Sequence, residues 1–385
     1  MIALVTDGET RAALELVRSL GAAGHTVFVA ARRRWSLAAL SRWCSGEFLY
    51  GDVVDSAPLL AQRLEGFARL CSADRLIGVT DRTLTALHAE PQLAPLLPHP
   101  DADGYAAASD KTRLFEDCRR WEIPVPDGVV CIGGQLPDRA TLERLGPSWA
   151  VRPALSWRWD GRRWLHGVVR LVDDEQTLQQ LVQEDPALRF PFLIQRVIEG
   201  DGCGLFVHAE RGELRAIFSH RRLREKPPWG GVSTLCRSVA APRDLRRHAE
   251  RYLEKTAWSG LAMLEFKRDR QGRAHLLEIN ARPWGSIALA RASGVDFANL
   301  WLEPQKHASQ LNYTEGVHLR WWWGDVDHYF LREGERSEGR VRRLGRALMR
   351  AITDGPQAQA CDTFRRDDPL PFVGETVAWL KRDNG

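Results

Sequence analysis

The chain reads as an α/β domain followed by an antiparallel α+β body, and three observations point there. Over residues 1–100, short β-branched runs alternate with helix-spaced stretches. From Trp149 onward, short strands follow one another with few helices between them. Between the two regions, Pro95, Pro98 and Pro100 with Asp101 and Asp103 read as a linker. Strand–helix alternation argues a doubly wound parallel sheet, whereas consecutive strands argue antiparallel pairing.

In order, residues 2–6 form a first strand, residues 10–20 a helix stopped by Gly21 and Gly24, and residues 25–30 a second strand. Residues 76–79 make a third, followed by Thr80, Asp81 and a helical stretch over 83–88. Loops after such strands face a ligand crevice, and the acids Asp7 and Asp81 there hint at an amine-bearing substrate. The first loop, TDGETR, has one glycine and so is no dinucleotide fingerprint. A helix opens at Asp110-Lys111 and ends at the IPVP run, residues 123–126. Further strands are expected over 149–152, 164–171, 192–198, 204–208, 213–220, 260–266 and 274–279, the last two pairing as a hairpin across the turn at 269–272. Helices are expected over 174–183, 242–256 and 286–293, then near 340–352 in a tail that carries three consecutive tryptophans. The boundaries drawn are 1–108 for the α/β domain, 109–305 for two lobes meeting near 200/201, and 306–385 for a Trp- and Arg-rich extension.

Composition narrows the function classes. The 385 residues are 44% hydrophobic and 27% charged, which excludes a disordered chain or a fibre. A net charge of +4 argues against nucleic acid as a partner unless the cations cluster on one face. Seven cysteines without CxxC spacing indicate neither a disulfide framework nor a zinc site. No apolar run approaches the roughly 18 residues that span a bilayer, and the start MIALVTDG lacks a signal-peptide leader, so a cytoplasmic setting is expected. Of the 54 basic residues only six are lysine, which gives each surviving lysine some weight.

The sharpest chemical feature is the pair Glu265 and Glu278, with Asn280 two residues on. In a hairpin the two carboxylates project to one face, and the period of two puts Asn280 and Arg282 there as well. Both acids lie in apolar runs, where unpaired carboxylates are costly. Three oxygen ligands near one another suit a hard cation such as Mg²⁺ or Mn²⁺ carrying substrate phosphates. Lys111 at a helix start can meet phosphate with charge and dipole together, and Arg152 inside the strand WAVRP calls for an anionic partner. The run FLIQRVIEGDG is apolar and then turns at Gly200 and Gly202, as a hinge between lobes would. The stretch HRRLREKPPWGGVST aims Arg222 and Arg224 to one side and has a PPWGG loop able to close on phosphates.

Taken in order, DK, a strand bearing a cation, IQRVIEG, HRRLREKPPWGGVST, MLEF and LLEINARPWGS resemble the ATP-grasp superfamily, more narrowly its predicted ATP-dependent carboligases. The resemblance runs over about residues 1–303. It implies an α/β domain followed by two lobes that clamp ATP. It also implies that Lys111 and Arg152 bind phosphate, that Gln195, Arg196 and Ile198 line the hinge whose backbone reads adenine, that Asp201 sits at the ribose, and that Lys226 joins the nucleotide site. Glu265, Glu278 and Asn280 fall at the metal ligands, and Arg282, with Arg222, at the transferred phosphoryl. The loop after Arg152, ALSWRWDGRRW, departs from the usual glycine-rich cover.

The activity implied is an ADP-forming ligase joining a carboxylate to an amine through an acyl phosphate, with small-molecule partners such as amino acids, neither nucleic acid nor membrane, and a homodimer as the assembly to test. A small-molecule kinase and a non-catalytic nucleotide-binding protein remain as alternatives.

Overall fold

The computed structural model describes residues 1–228, 231–332, 340–354 and 358–382. Among them the strands make sheets of four, four and seven members and one two-stranded ribbon.

The first sheet is parallel, with β1 (Ile2–Val5), β2 (Thr26–Ala31), β3 (Gly46–Leu49) and β4 (Arg75–Ile77) in the order β3-β2-β1-β4. Ala3, Leu4 and Val5 are wholly buried, which is why β1 reads as an unbroken apolar run instead of alternating. The helix Arg11–Ala22 starts where Thr10 Oγ1 accepts the Ala13 N–H at 3.1 Å. The edge strand β3 and the helix Ala57–Leu70 have no counterpart in the sequence reading. β3 is half-exposed and only four residues long, so its apolar pattern is weak.

The second sheet is antiparallel and orders β5 (Gly128–Cys131), β6 (Trp149–Pro153), β9 (Arg170–Val172) and β10 (Phe192–Arg196) as β5-β10-β6-β9. The single strand expected over 164–171 is divided. Its first part is β8 (Trp164–His166), which pairs with β7 (Trp157–Trp159) in the ribbon, and its last part is β9. Gly167 is the break: a Cβ there would lie 2.2 Å from the Leu155 carbonyl oxygen.

The third sheet runs β15-β14-β11-β12-β13-β16-β17 and holds β11 (Gly202–Glu210), β12 (Glu213–Lys226), β13 (Val232–Ser238), β14 (Gly260–Arg268), β15 (Ala274–Asn280), β16 (His318–Arg320) and β17 (Ala360–Cys361). The last two lie beyond residue 306, so the Trp-rich tail adds strands to this sheet. Gly200, just before β11, has φ +150°, and a Cβ would fall 1.8 Å from the Arg268 carbonyl oxygen, so only glycine fits that turn.

One apolar core runs from the helix Arg11–Ala22 to Phe206 and Phe218 of the third sheet and on to Trp284. The tail is tied to the same helix: wholly buried Arg18 donates to Asp368 Oδ2 at 2.8 Å and to the carbonyls of Asp362 and Thr363. The tryptophan run packs within the chain. Trp323 stacks on Trp379 of the helix Leu370–Arg382 at 4.3 Å, and the Arg11 guanidinium sits 4.1 Å above Trp321. No described helix is long and apolar enough to cross a membrane.

Candidate active site

The β14–β15 hairpin sets Glu265 directly opposite Glu278, and Met263 opposite Asn280. Directly opposed residues share a face, so both carboxylates and the amide point the same way. Asn280 Nδ2 bridges them, donating to Glu265 Oε1 at 3.3 Å and to Glu278 Oε1 at 3.4 Å. A bulge beside this pair leaves Leu277 outside the ladder, and its carbonyl accepts Arg152 Nη1 at 2.8 Å.

Four cations ring the acids. Arg152 Nη2 is 3.2 Å and Lys111 Nζ 3.8 Å from Glu278 Oε2, while Arg222 Nη2 is 3.3 Å from Glu265 Oε2. Arg282 Nη2 donates to Asn280 Oδ1 at 3.3 Å, and its Nε to Asp81 Oδ1 at 2.9 Å. Burial, then the Glu278 charge, raises the Glu265 carboxyl above its usual range. Burial opposes ionisation of Glu278 too, but Lys111 and Arg152 outweigh it and hold that carboxyl low. Burial pulls the Lys111 ammonium down against the attraction of Glu278. Lys111 and Arg152 are each 6% exposed and have one carboxylate between them, so the pair retains a positive charge that suits an anion.

Lys111 is placed by a helix start: Asp110 Oδ1 accepts the Thr112 and Arg113 N–H groups, and Lys111 Nζ donates to Ser156 Oγ at 3.0 Å. Arg152 is oriented by buried Gln195, whose Oε1 accepts its Nη1 at 3.3 Å.

Two cavities are lined by both acids, and a third adjoins the second of them. One of 270 Å³ is a slot between Val169, Leu171, Val197 and Ile198 that reaches Arg152, Glu265 and Glu278. One of 250 Å³ holds Arg222, Arg282 and Ser286 beside Glu265, Glu278 and Asn280. It shares Arg11, Val232, Arg282 and Gly285 with a third, a cleft of 940 Å³ that runs to the parallel sheet and the tail helix.

Several residues singled out in the sequence lie elsewhere or face other partners. Lys226 points to the tail, where it pairs with Asp327 and lies 5.4 Å from the Trp321 ring. Asp201 is exposed and lines none of these cavities; its carbonyl accepts the Arg268 N–H at 3.0 Å. The Arg196 side chain turns to the Arg144 carbonyl at 2.9 Å, and its N–H is taken by the Asp127 carbonyl at 2.8 Å. The Ile198 N–H has no partner among the described residues. Asp7, expected to line the crevice, is buried and instead ties the loop ends, accepting the Val79 and Thr80 N–H groups and the Thr83 hydroxyl. The tip of the PPWGG loop, Trp229 and Gly230, lies outside the described residues.

Sequence reasoning did not assign Ser156 or the Leu277 carbonyl, because a serine and a backbone oxygen carry no motif of their own. Nor did it foresee that the Trp-rich loop after Arg152 forms the ribbon β7–β8. Arg82 lies 4.8 Å from the Trp157 ring and 5.3 Å from the Trp164 ring, and Trp164 Nε1 donates to the Val54 carbonyl at 3.0 Å. The ribbon thereby ties the loop after Arg152 to the α/β domain.

The donor set suits magnesium. The two carboxylates each keep 28% of the side chain open, and both present an oxygen to one point, now held by the Asn280 amide. Turning that amide by half a rotation presents a third oxygen there. No group of three His, Cys, Asp or Glu side chains able to hold a metal occurs among the described residues. Two carboxylates that leave coordination positions for water and phosphate are what Mg²⁺ uses at nucleotide sites.

Comparison with known proteins bears on the fold. Residues 189–322 match the family described as ATP-grasp in the biosynthetic pathway with Ter operon. No curated protein matches the chain. Among solved structures, N5-carboxyaminoimidazole synthetase from Staphylococcus aureus complexed with ADP is similar with a TM-score of 0.65 at 12% identity, over 87% of this chain and 85% of that one. Biotin carboxylase from Campylobacter jejuni, in a β-γ-ATP complex, gives 0.64 at 14% identity over 82% and 74%. L-amino acid ligase from Bacillus licheniformis gives 0.61 at 13% over 80% and 75%. With its parallel-sheet domain ahead of the two antiparallel sheets, the chain is therefore an ATP-grasp-fold protein.

Proposed function

We propose that this protein is an ADP-forming ligase that joins a small-molecule carboxylate to an amine at the expense of ATP. The observation that supports it is the Glu265–Glu278 pair bridged by Asn280, ringed by four cations and placed where an apolar slot meets a polar pocket. The three neighbours named above, a carboxylase and a synthetase in complex with adenine nucleotide and an amino-acid ligase, add support by likeness of fold.

In this reading adenine enters the slot against Val169, Leu171 and Ile198, with the Ile198 N–H as its backbone donor. Lys111 and Arg152 hold the α- and β-phosphate oxygens. Magnesium held by Glu265, Glu278 and Asn280 would supply charge neutralisation on the triphosphate. The substrate carboxylate attacks the γ-phosphorus and ADP leaves. Arg282 and Arg222 steady the transferred phosphoryl group as charge moves onto ADP. The amine then attacks the acyl carbon, phosphate departs and the nitrogen loses a proton. The chain contributes chiefly position and charge, since the chemistry needs no nucleophilic side chain.

A screen of ADP release over amino acids and small carboxylates, singly and in pairs, with mass detection, tests the reading. A pair-dependent product weighing the sum of both substrates less water is the expected result. ADP formed with one substrate alone would favour a kinase. Nucleotide binding without turnover would favour a non-catalytic binder, which the tryptophan ribbon over the site would suit.

A further inference from the structure

The large cleft has an outer end that the ligase chemistry does not use. There the loop after β2 brings Arg33, Arg34 and Trp35 to the cavity that Arg282 reaches from the other side. Trp35 is 71% exposed, and its backbone is left-handed at φ +64°. A bulky residue is strained there and persists only where its surroundings impose the conformation.

The surroundings do impose it. Glu47 Oε2 accepts the Trp35 N–H at 3.0 Å, and its Oε1 accepts the Ser36 N–H at 3.0 Å and the Ser36 hydroxyl at 2.7 Å. Glu9 Oε1 accepts the Arg33 N–H at 2.9 Å. Two carboxylates thus hold backbone while three large side chains project. Of the acids lining the cleft, Asp81 is paired with Arg282, whereas Glu9 and Glu375 accept from neutral groups, the Arg33 N–H and, at 2.6 Å, the Trp321 indole. Arg33 and Arg34 have no acidic partner among the described residues. The outer end therefore offers an open indole face beside two guanidinium groups that form no ion pair among the described residues, a combination that fits a planar ring carrying negative charge.

We propose that residues 33–35 form a specificity subsite for an aromatic, anionic end group of one substrate, the anion being a carboxylate or a phosphate. The assignment builds on the ligase reading, in which the same cleft delivers that substrate to Arg282.

The test uses the full chain with phenyl phosphate, phenylacetate, butyl phosphate and benzyl alcohol as probes, titrated by saturation-transfer NMR with and without ADP and magnesium. Either aromatic anion should bind with ADP and magnesium present, and which one binds more tightly names the anion. Butyl phosphate and benzyl alcohol should bind at least fivefold more weakly. Trp35→Ala should weaken the aromatic anions roughly fivefold, a stacking contribution of about 1 kcal/mol converted to affinity. Arg33→Gln with Arg34→Gln should weaken them further. Trp35→Gly, which relieves the strained backbone, should lose affinity without lowering the melting temperature, so a loss by misfolding is recognised. Equal affinity in Trp35→Ala and wild type, or binding confined to nucleotide-free protein, overturns the subsite. A fluorescent ADP analogue titrated into the same preparations reads the nucleotide site separately, so failure of the ligase reading and failure of the subsite are told apart.

Discussion

Arg152 holds Glu278 from two directions: its Nη2 is 3.2 Å from the carboxylate, and its Nη1 donates at 2.8 Å to the carbonyl of the preceding residue, Leu277. The bulge that frees that carbonyl makes the second contact available, so strand irregularity and charge placement are one feature. A guanidinium can bridge both oxygens, whereas an ammonium meets one point at a time.

Arg152→Lys should therefore keep nucleotide binding but loosen Glu278. We expect ADP formation to fall about tenfold, the usual range for a residue supporting a metal ligand. Steady-state ADP release measures it, and undiminished turnover would show that the bulge contact is dispensable.

Glu278→Gln is close to isosteric and removes the negative charge between Lys111 and Arg152. Magnesium-dependent ADP formation should drop at least about 100-fold. The ligand-free protein should also lose stability, because two buried cations are left with less compensation, and ATP should restore part of it. Thermal melts with and without nucleotide check both parts. Wild-type turnover would remove Glu278 from the site.

His88 and His99 predict acid sensitivity of the fold. Their rings lie 6.4 Å apart, and burial pushes the pKa of His88 down to about 4 and that of His99 down to about 3. Both stay neutral in the fold while the unfolded chain takes up protons below the ordinary value of 6.5. Stability is then complete above that pH and is lost as pH falls towards 4 and 3, with a slope approaching about 1.4 kcal/mol per pH unit for each histidine. Urea midpoints between pH 7.5 and 5 should record the loss, and His88→Phe should flatten it by about one proton. An unchanged slope in that variant would contradict the assignment.

Asp368→Asn should destabilise the whole chain. Asp368 accepts from Arg18, the Ser41 hydroxyl and the Arg42 N–H, and both it and Arg18 are buried. Breaking a buried ion pair from one side costs about 3 kcal/mol or more. Urea unfolding should shift accordingly, and removal of residues 306–385 should yield insoluble protein. A soluble, fully active truncation would mean that the tail contacts contribute little.

The acid pair was legible because a hairpin needs only local rules: two apolar runs, a turn at 269–272 and a period of two fix which side chains share a face. The parallel strands β1, β2 and β4 and the helix behind Thr10 were legible for the same reason. The short edge strand β3 was not, since half-exposed residues pattern weakly.

Local pattern could say that Lys111, Arg152, Arg222 and Arg282 are cations, but not which anion each would meet. Lys226 shows the difference: a cation in a basic strand on the page, it turns towards Asp327 because the tail packs beside β12. Asp7 and Asp81 likewise looked free to attract an amine, yet the fold closes one onto backbone and the other onto Arg282. Sequence alone determined the order of elements and the face of each hairpin side chain, which depend on neighbours a few residues away. Only the tertiary structure decided the pairing of charges and the docking of the tail, because those contacts join residues tens to hundreds of positions apart, and their energies depend on burial that no local pattern encodes.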